Sequence, residues 1–509
     1  MLARVRSAAI LGIDAYIVAV EVDAAPGLPA MATVGLAQSA VKEGRERVLA
    51  ALVNSGYEVP PRKITINLAP ADIKKEGSHF DLPIACGLLA ATGQIRGGRL
   101  ERYALAGELG LDGALRPIRG ALSMTQAVAA ERLAGFVVPT ANLSEAAILD
   151  GVDVRGATCL AEVTAFLDGR SELPGREVET GSLLQRRRSS SVDLADVRGQ
   201  RLAKRALEIA AAGAHNVLLI GPPGGGKTML ARRLPTILPG MSLLEATEVT
   251  RIHSVAGLLP PNCGLVTERP FRAPHHTISD AGLVGGGALP RPGEVSLAHN
   301  GVLFLDELTE FRRNVLEALR QPLEDGVVTI GRASRSLTYP ARLVLAAAMN
   351  PCHCGLLGDS GKTCRCTPRM IQRYRSKVSG PLLDRIDLQI EVPPVTSPEL
   401  LDSLDGESSA AVAARVEAAR RLQLARFEGR AGLYANGQMG ARDVRLYCRA
   451  DDTGLSLLRS AMARFGLSAR SFHRVLKIAR TIADLEASEA VRASHVAEAI
   501  QYRGLDRRA

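Results

Sequence analysis

The stretch Gly221-Pro-Pro-Gly-Gly-Gly-Lys227-Thr228 constrains this chain more than any other feature. It fits G-x-x-x-x-G-K-[ST], follows the apolar run Val217–Ile220 and leads into a helical pattern over Met229–Leu234. Strand, glycine-rich turn and helix in that order form a phosphate cradle. Gly221, Gly224, Gly225 and Gly226, with Pro222 and Pro223 between them, let backbone N–H groups turn inward, and the helix N-terminus adds its positive end. Lys227 is the residue type that neutralises β- and γ-phosphates, and Thr228 offers a hydroxyl to Mg²⁺.

Two further segments complete a hydrolytic site. Gly301-Val-Leu-Phe-Leu-Asp306-Glu307 reads as a buried strand ending in paired carboxylates, a Walker B pattern. Asp306 is expected to hold Mg²⁺ through water and Glu307 to polarise the attacking water. Leu343–Ala348 is another apolar run, followed closely by Asn350. A polar side chain at the tip of the neighbouring strand positions the lytic water, although an Asn before Pro351 also caps a turn.

The rest of the 509 residues divides by composition. Residues 1–169 alternate strand-like segments (Ile17–Val22, Lys63–Leu68) with a buried helical one (Leu82–Thr92). Residues 170–192 carry Pro174, Gly175, the run Arg186–Arg188 and three consecutive serines, and read as a linker. Residues 193–395 continue in βα alternation, as a parallel sheet with helices on both faces requires. Residues 396–509 are helical in pattern, over Ala410–Arg426, Thr453–Phe465, Ser471–Leu485 and Ser494–Tyr502. No run of eighteen apolar residues reads as a membrane span, the N-terminus lacks a convincing leader, and a cytoplasmic location is expected. A net charge of +10 and a pI near 9.4 suit a polyanion, and the absence of Trp turns attention to phosphate contacts rather than base stacking.

Four of the eight cysteines, Cys352, Cys354, Cys364 and Cys366, fall close together across a Gly-containing loop. Four thiolates bind Zn²⁺ tetrahedrally, with His353 able to replace one; the C-x-C spacing is tighter than usual, and free thiols are the alternative. A closed site of this kind braces a loop rather than catalyses.

Arg272-Ala-Pro-His-His-Thr-Ile-Ser, Leu316-Glu-Ala-Leu-Arg-Gln-Pro-Leu-Glu-Asp-Gly, Met349-Asn-Pro-Cys and Ser379-Gly-Pro-Leu-Leu-Asp-Arg-Ile-Asp resemble magnesium-chelatase-like AAA+ proteins, most closely the ComM (YifB) family. The resemblance spans essentially the whole chain. It implies a P-loop AAA+ α/β core with a C-terminal helical lid, ATP and Mg²⁺ as cofactors, and a homo-hexamer acting as a DNA helicase. The activity implied is branch migration during recombination in natural transformation. A chelatase- or chaperone-type ATPase that remodels a protein shares the same nucleotide residues and is the rival.

By motif position, Arg385 resembles an arginine finger that reaches a neighbouring subunit's γ-phosphate, and Arg470 resembles sensor 2, with Arg474 one turn on as the rival candidate. Val197-Arg-Gly-Gln200 resembles the stretch that packs near adenine. A hairpin over Val327–Arg332 and Ser336–Pro340 would bring Arg332 and Arg335 to DNA phosphates in the ring pore, as would the insert Arg272–Ala298, unless both are plain surface elements.

Gly107–Gly120 and Lys74-Lys-Glu-Gly-Ser-His-Phe-Asp resemble the protease domain of Lon, an α+β, ribosomal S5-like fold. Lon needs a Ser nucleophile and a Lys base. His79 stands at the nucleophile position, Ser78 is one residue out of place, and Ala121–Leu133 contains no Lys. The domain is therefore expected to be catalytically inactive.

Overall fold

The computed structural model describes the chain except for residues 37, 177–180, 182–191, 261, 288–289, 332–335, 359–361, 395–405, 431, 467 and 504–509. The expected DNA-gripping Arg332 and Arg335, the run Arg186–Arg188 and most of the linker lie outside the described residues.

The chain forms two compact units, residues 1–186 with 242–267, and residues 187–241 with 268–509.

The first unit is built on a seven-stranded mixed sheet. Leu2–Leu11 pairs antiparallel along its whole length with Asp14–Ala25, from Leu2 opposite Asp23 to Leu11 opposite Asp14, and Lys63–Ala69 joins the second strand antiparallel. Tyr103–Leu105, Gly135–Pro139 and Asp153–Ala157 extend the sheet on its other side in parallel. The helix Asp81–Ala91 is buried at every position and is apolar after Asp81, whose carboxylate pairs with Arg47, as suits a helix enclosed by its own domain.

This unit also takes in residues 242–267, which lie within the stretch 193–395. The reason is polar rather than patterned. On the helix Leu243–Ala256, the Ser254 hydroxyl bonds to the Glu145 carboxylate and accepts the Gly120 N–H at 2.8 Å. Arg251 donates to the Ile13 carbonyl at 2.9 Å and to Asp14. Burial raises the Glu145 carboxyl above its ordinary pKa, opposed by its hydrogen bonds from Ser254, the Leu122 N–H and Asn142.

The second unit holds a five-stranded sheet, parallel throughout, in the spatial order Phe271–Arg272, Val302–Leu305, Val344–Met349, Val217–Ile220, Leu388–Glu391. Its central strands bury every residue. Alternate residues feed two cores: Val217, Leu219, Phe304 and Ala346 face one, and Leu218, Ile220, Leu305 and Ala347 the other. Side chains of a strand point to opposite faces in turn, so a sheet covered on both sides reads as continuous apolar runs. The first core also collects the C-terminal helices Ser409–Arg426, Ala469–Leu485 and Ala493–Gln501 through Val416, Ile478 and Val496. The strand Val217–Ile220 lies between strands that come later in the chain on both sides. The crevice at its carboxyl end is where ligands bind in open α/β sheets.

Candidate nucleotide-binding site

Three strand ends meet at that crevice. Pro223, Gly224, Gly226, Lys227, Thr228, Asp306, Glu307 and Asn350 line one cleft of 410 Å³. Gly224 and Gly226 hold φ of +80° and +83°, which glycine adopts without strain, and Gly226 caps the helix Lys227–Ile237. A Cβ on Gly221 would stand 2.0 Å from the Val392 carbonyl oxygen, so only glycine lets the loop pass the neighbouring strand.

Inside the cleft the side chains are already linked. Lys227 Nζ donates to the carbonyls of Gly221 and Pro222 at 2.8 and 2.9 Å and to Asn350 Oδ1 at 3.2 Å. Burial lowers the pKa of this ammonium, opposed by the nearby Asp306 and Glu307. Thr228 Oγ1 donates to Asp306 Oδ2 at 2.7 Å, and Asp306 Oδ1 accepts the Glu307 N–H at 2.9 Å. Glu307 takes a left-handed φ of +51°, uncommon for a non-glycine residue, and that turn leaves its side chain 61% exposed at the mouth of the cleft. Gln200 donates to the Pro393 carbonyl at 2.6 Å and to that of Gly225 at 3.4 Å, tying the segment that precedes the core to the phosphate loop.

One residue here was not singled out from the sequence. His276 Nδ1 lies 3.6 Å from Glu307 Oε2, with its ring against His275 and edge-on to Phe311. The paired histidines were legible only as part of an insert, because nothing in their spacing announces proximity to a residue 31 positions later.

The arginines lie elsewhere. Arg385, Arg470 and Arg474 are absent from the cleft lining. Arg385 is buried, donating to the Pro381 carbonyl at 2.8 Å and to the Glu324 carboxylate. Arg470 is exposed; the Arg385 hydrogen bond chiefly, with the more distant charges of Arg470 and Arg320, holds the Glu324 carboxyl below its usual range. Arg474 is occupied: it donates to Asp387 Oδ1 at 2.7 Å, while His215 bonds the other oxygen at 3.2 Å and Thr481 at 2.8 Å. Arg474 and His215 together hold the Asp387 carboxyl well below the usual range despite its burial.

Beyond Asn350, the Sγ atoms of Cys352, Cys354, Cys364 and Cys366 lie within 4.8 Å of one another. His353 does not join them; its ring stands edge-on to Tyr374.

Comparison with known proteins agrees with this architecture. Residues 193–400 match the family described as magnesium chelatase, subunit ChlI, and residues 406–503 match its C-terminal region. Residues 20–142 match the family described as subunit ChlI of Mg-chelatase. The chain is 46% identical to the uncharacterized protein YifB of Escherichia coli over 99% of this chain and 97% of that protein. It is 44% identical to the competence protein ComM of Haemophilus influenzae over 99% and 98%. The chain belongs to the ComM/YifB family of magnesium-chelatase-like proteins. Its second unit is thus an AAA+ core with a helical C-terminal region, in a family of the ATPase class.

The chain is also 29% identical to Lon protease 2 of Bacillus subtilis over 151 residues, 27% of this chain and 26% of that protein. Ser78 Oγ donates to Glu108, and His79 is buried against Phe80, with burial pushing its imidazole down to about 4. No helix among the described residues is long and apolar enough to cross a membrane.

Proposed function

We propose that the chain is an ATP-driven motor that assembles as a homo-hexamer and moves on DNA, a branch-migration helicase serving recombination during natural transformation. The observation that carries the reading is the divided site. Lys227, Thr228, Asp306, Glu307 and Asn350 gather in one cleft, whereas Arg385 and Arg470 are absent from its lining and Arg385 bonds to Glu324 instead. A pocket with its Mg²⁺ ligands and water-polarising carboxylate but without a charge-stabilising arginine is completed by a second copy.

In this reading ATP sits on the P-loop with Lys227 at its β- and γ-phosphates. Mg²⁺ is held by Thr228 and, through water, by Asp306. Glu307 and Asn350 place the attacking water, Arg385 reaches the neighbouring γ-phosphate, and Arg470 senses it. Residues 1–169 form a non-peptidase platform, 170–192 a linker, 193–395 the motor core and 396–509 the lid, with residues 242–267 of the motor stretch seated in the first unit. Cys352, Cys354, Cys364 and Cys366 hold a structural Zn²⁺.

DNA is the favoured track for two reasons: the chain's +10 charge, and its similarity to a competence protein of Haemophilus influenzae. The hairpin Val327–Gly331 with Ser336–Pro340 is the element assigned to grip it, through Arg332 and Arg335. The magnesium-chelatase family match supports the rival, an ATPase that remodels a protein partner. Retention on immobilised branched DNA separates them. A DNA motor is retained at low salt and released as salt rises, with log K falling linearly in log salt. Absence of retention at low salt favours the rival.

A further inference from the structure

The four cysteines do more than close a loop. Cys352 follows Asn350 by two residues, so the first pair is continuous with the turn that places Asn350 against Lys227. Cys366 precedes Thr367, whose hydroxyl caps the helix Pro368–Arg375 by accepting the Met370 N–H at 3.3 Å. That helix returns to the site twice. Arg375 donates to the Pro351 carbonyl at 3.2 Å, and the Tyr374 hydroxyl accepts from Thr309 at 2.6 Å, two residues beyond Glu307. Gly355, inside the loop at φ +79°, passes so close to the P-loop that an added Cβ would stand 2.9 Å from Pro223 Cδ.

The sulfurs fit a tetrahedral ion. Cys352 to Cys354, Cys352 to Cys364 and Cys354 to Cys364 measure 3.4, 3.7 and 3.6 Å. With Zn–S bonds of about 2.3 Å, a tetrahedron places its sulfurs about 3.8 Å apart. These separations are far beyond a disulfide bond, and four thiolates are the donor set of a closed zinc site.

We propose that the Zn²⁺ held by Cys352, Cys354, Cys364 and Cys366 is a brace of the nucleotide site. One ion pins the Asn350 turn to the helix Pro368–Arg375, and through Tyr374, Arg375 and Gly355 it fixes the turn after Glu307, Pro351 and the P-loop in one arrangement. The helix Pro368–Arg375 spans only two turns and is short for independent stability, so its position depends on such ties. Metal occupancy thereby sets the geometry of hydrolysis without any contact between the ion and nucleotide. The inference rests on the pocket being an ATP site.

The test combines metal analysis with nucleotide measurements on the full chain. Elemental analysis of the purified protein should give one zinc per chain, released by an organomercurial in proportion to four thiols. Cobalt substitution should give the visible absorption of a tetrahedral tetrathiolate centre. Cys364→Ser should lose the metal, and ATP turnover should fall about tenfold or more, as for loss of groups that orient a site. Gly355→Ala should keep the metal and still lower affinity for a fluorescent ATP analogue, which separates bracing from folding. No bound zinc with four free thiols and normal nucleotide binding overturns the site. Zinc present, with turnover unchanged in metal-free protein and affinity unchanged in Gly355→Ala, overturns the brace. A zinc-bound wild type that binds no nucleotide overturns the ATPase reading and the bracing role together, while the tetrathiolate site stands.

Discussion

The Thr228 hydroxyl donates to the Asp306 carboxylate at 2.7 Å, joining the first turn of the P-loop helix to the end of the strand Val302–Leu305 across 78 residues of sequence. Two oxygens so placed beside a phosphate loop suit one Mg²⁺. Thr228→Val and Asp306→Asn should each lower Mg²⁺-dependent hydrolysis by several kcal/mol, more than about a hundredfold. The Mg²⁺ concentration needed for half-maximal turnover should rise, and an unchanged Mg²⁺ titration in both would remove these residues from the metal site.

Lys227 and Glu307 should separate binding from chemistry. Lys227→Ala removes a buried ammonium aimed into the cleft, and the lost charge-assisted contacts cost about 2–3 kcal/mol, raising the ATP Kd roughly a hundredfold. Glu307→Gln keeps the shape and loses the base, so it should bind ATP normally and turn it over about 10²–10⁴ times more slowly. Equilibrium binding beside single-turnover hydrolysis distinguishes the two. Normal turnover in Glu307→Gln would sink its assigned role.

Arg385 bonds to Glu324 of its own chain and is absent from its own cleft, and the proposed function assigns its action to a neighbour. Arg385→Ala should bind ATP yet lose about 10³ in turnover even in a preformed ring. Mixing it with Lys227→Ala should restore measurable hydrolysis from two inactive preparations, because some interfaces then pair an intact pocket with an intact arginine. No recovery in mixed rings would place the arginine's role within its own subunit or elsewhere.

Arg470 and Arg474 are one helical turn apart and should fail differently. Arg474 neutralises the buried Asp387, so Arg474→Ala should destabilise the second unit by about 3 kcal/mol, read as a shift in denaturant midpoint. Exposed Arg470 should cost little stability when changed to Ala and should lower turnover instead. The reverse pattern would exchange their assignments.

How much of this was legible in sequence follows from burial and range. The strands Val217–Ile220, Val302–Leu305 and Val344–Met349 announce themselves because both faces are buried and every residue is apolar. The P-loop, Asp306, Glu307 and Asn350 follow from strand ends, and the structure gathers them in one cleft. The placement of residues 242–267 in the first unit was not legible, since it hangs on Ser254–Glu145 and Arg251–Asp14 contacts more than a hundred residues apart. Nor was the engagement of Asp387 by Arg474 and His215, three residues on separate segments. Cysteine spacing brought four thiols to notice, but only the fold excludes His353, whose ring turns to Tyr374.

The central claim is a motor whose fuel use depends on its track. The most direct measurement is the ATP hydrolysis rate with and without single-stranded and junction DNA, alongside strand displacement from a labelled three-way junction. The account predicts hydrolysis stimulated by DNA and displacement of the strand, both absent in Lys227→Ala. Hydrolysis indifferent to DNA, with the junction left intact, would contradict it.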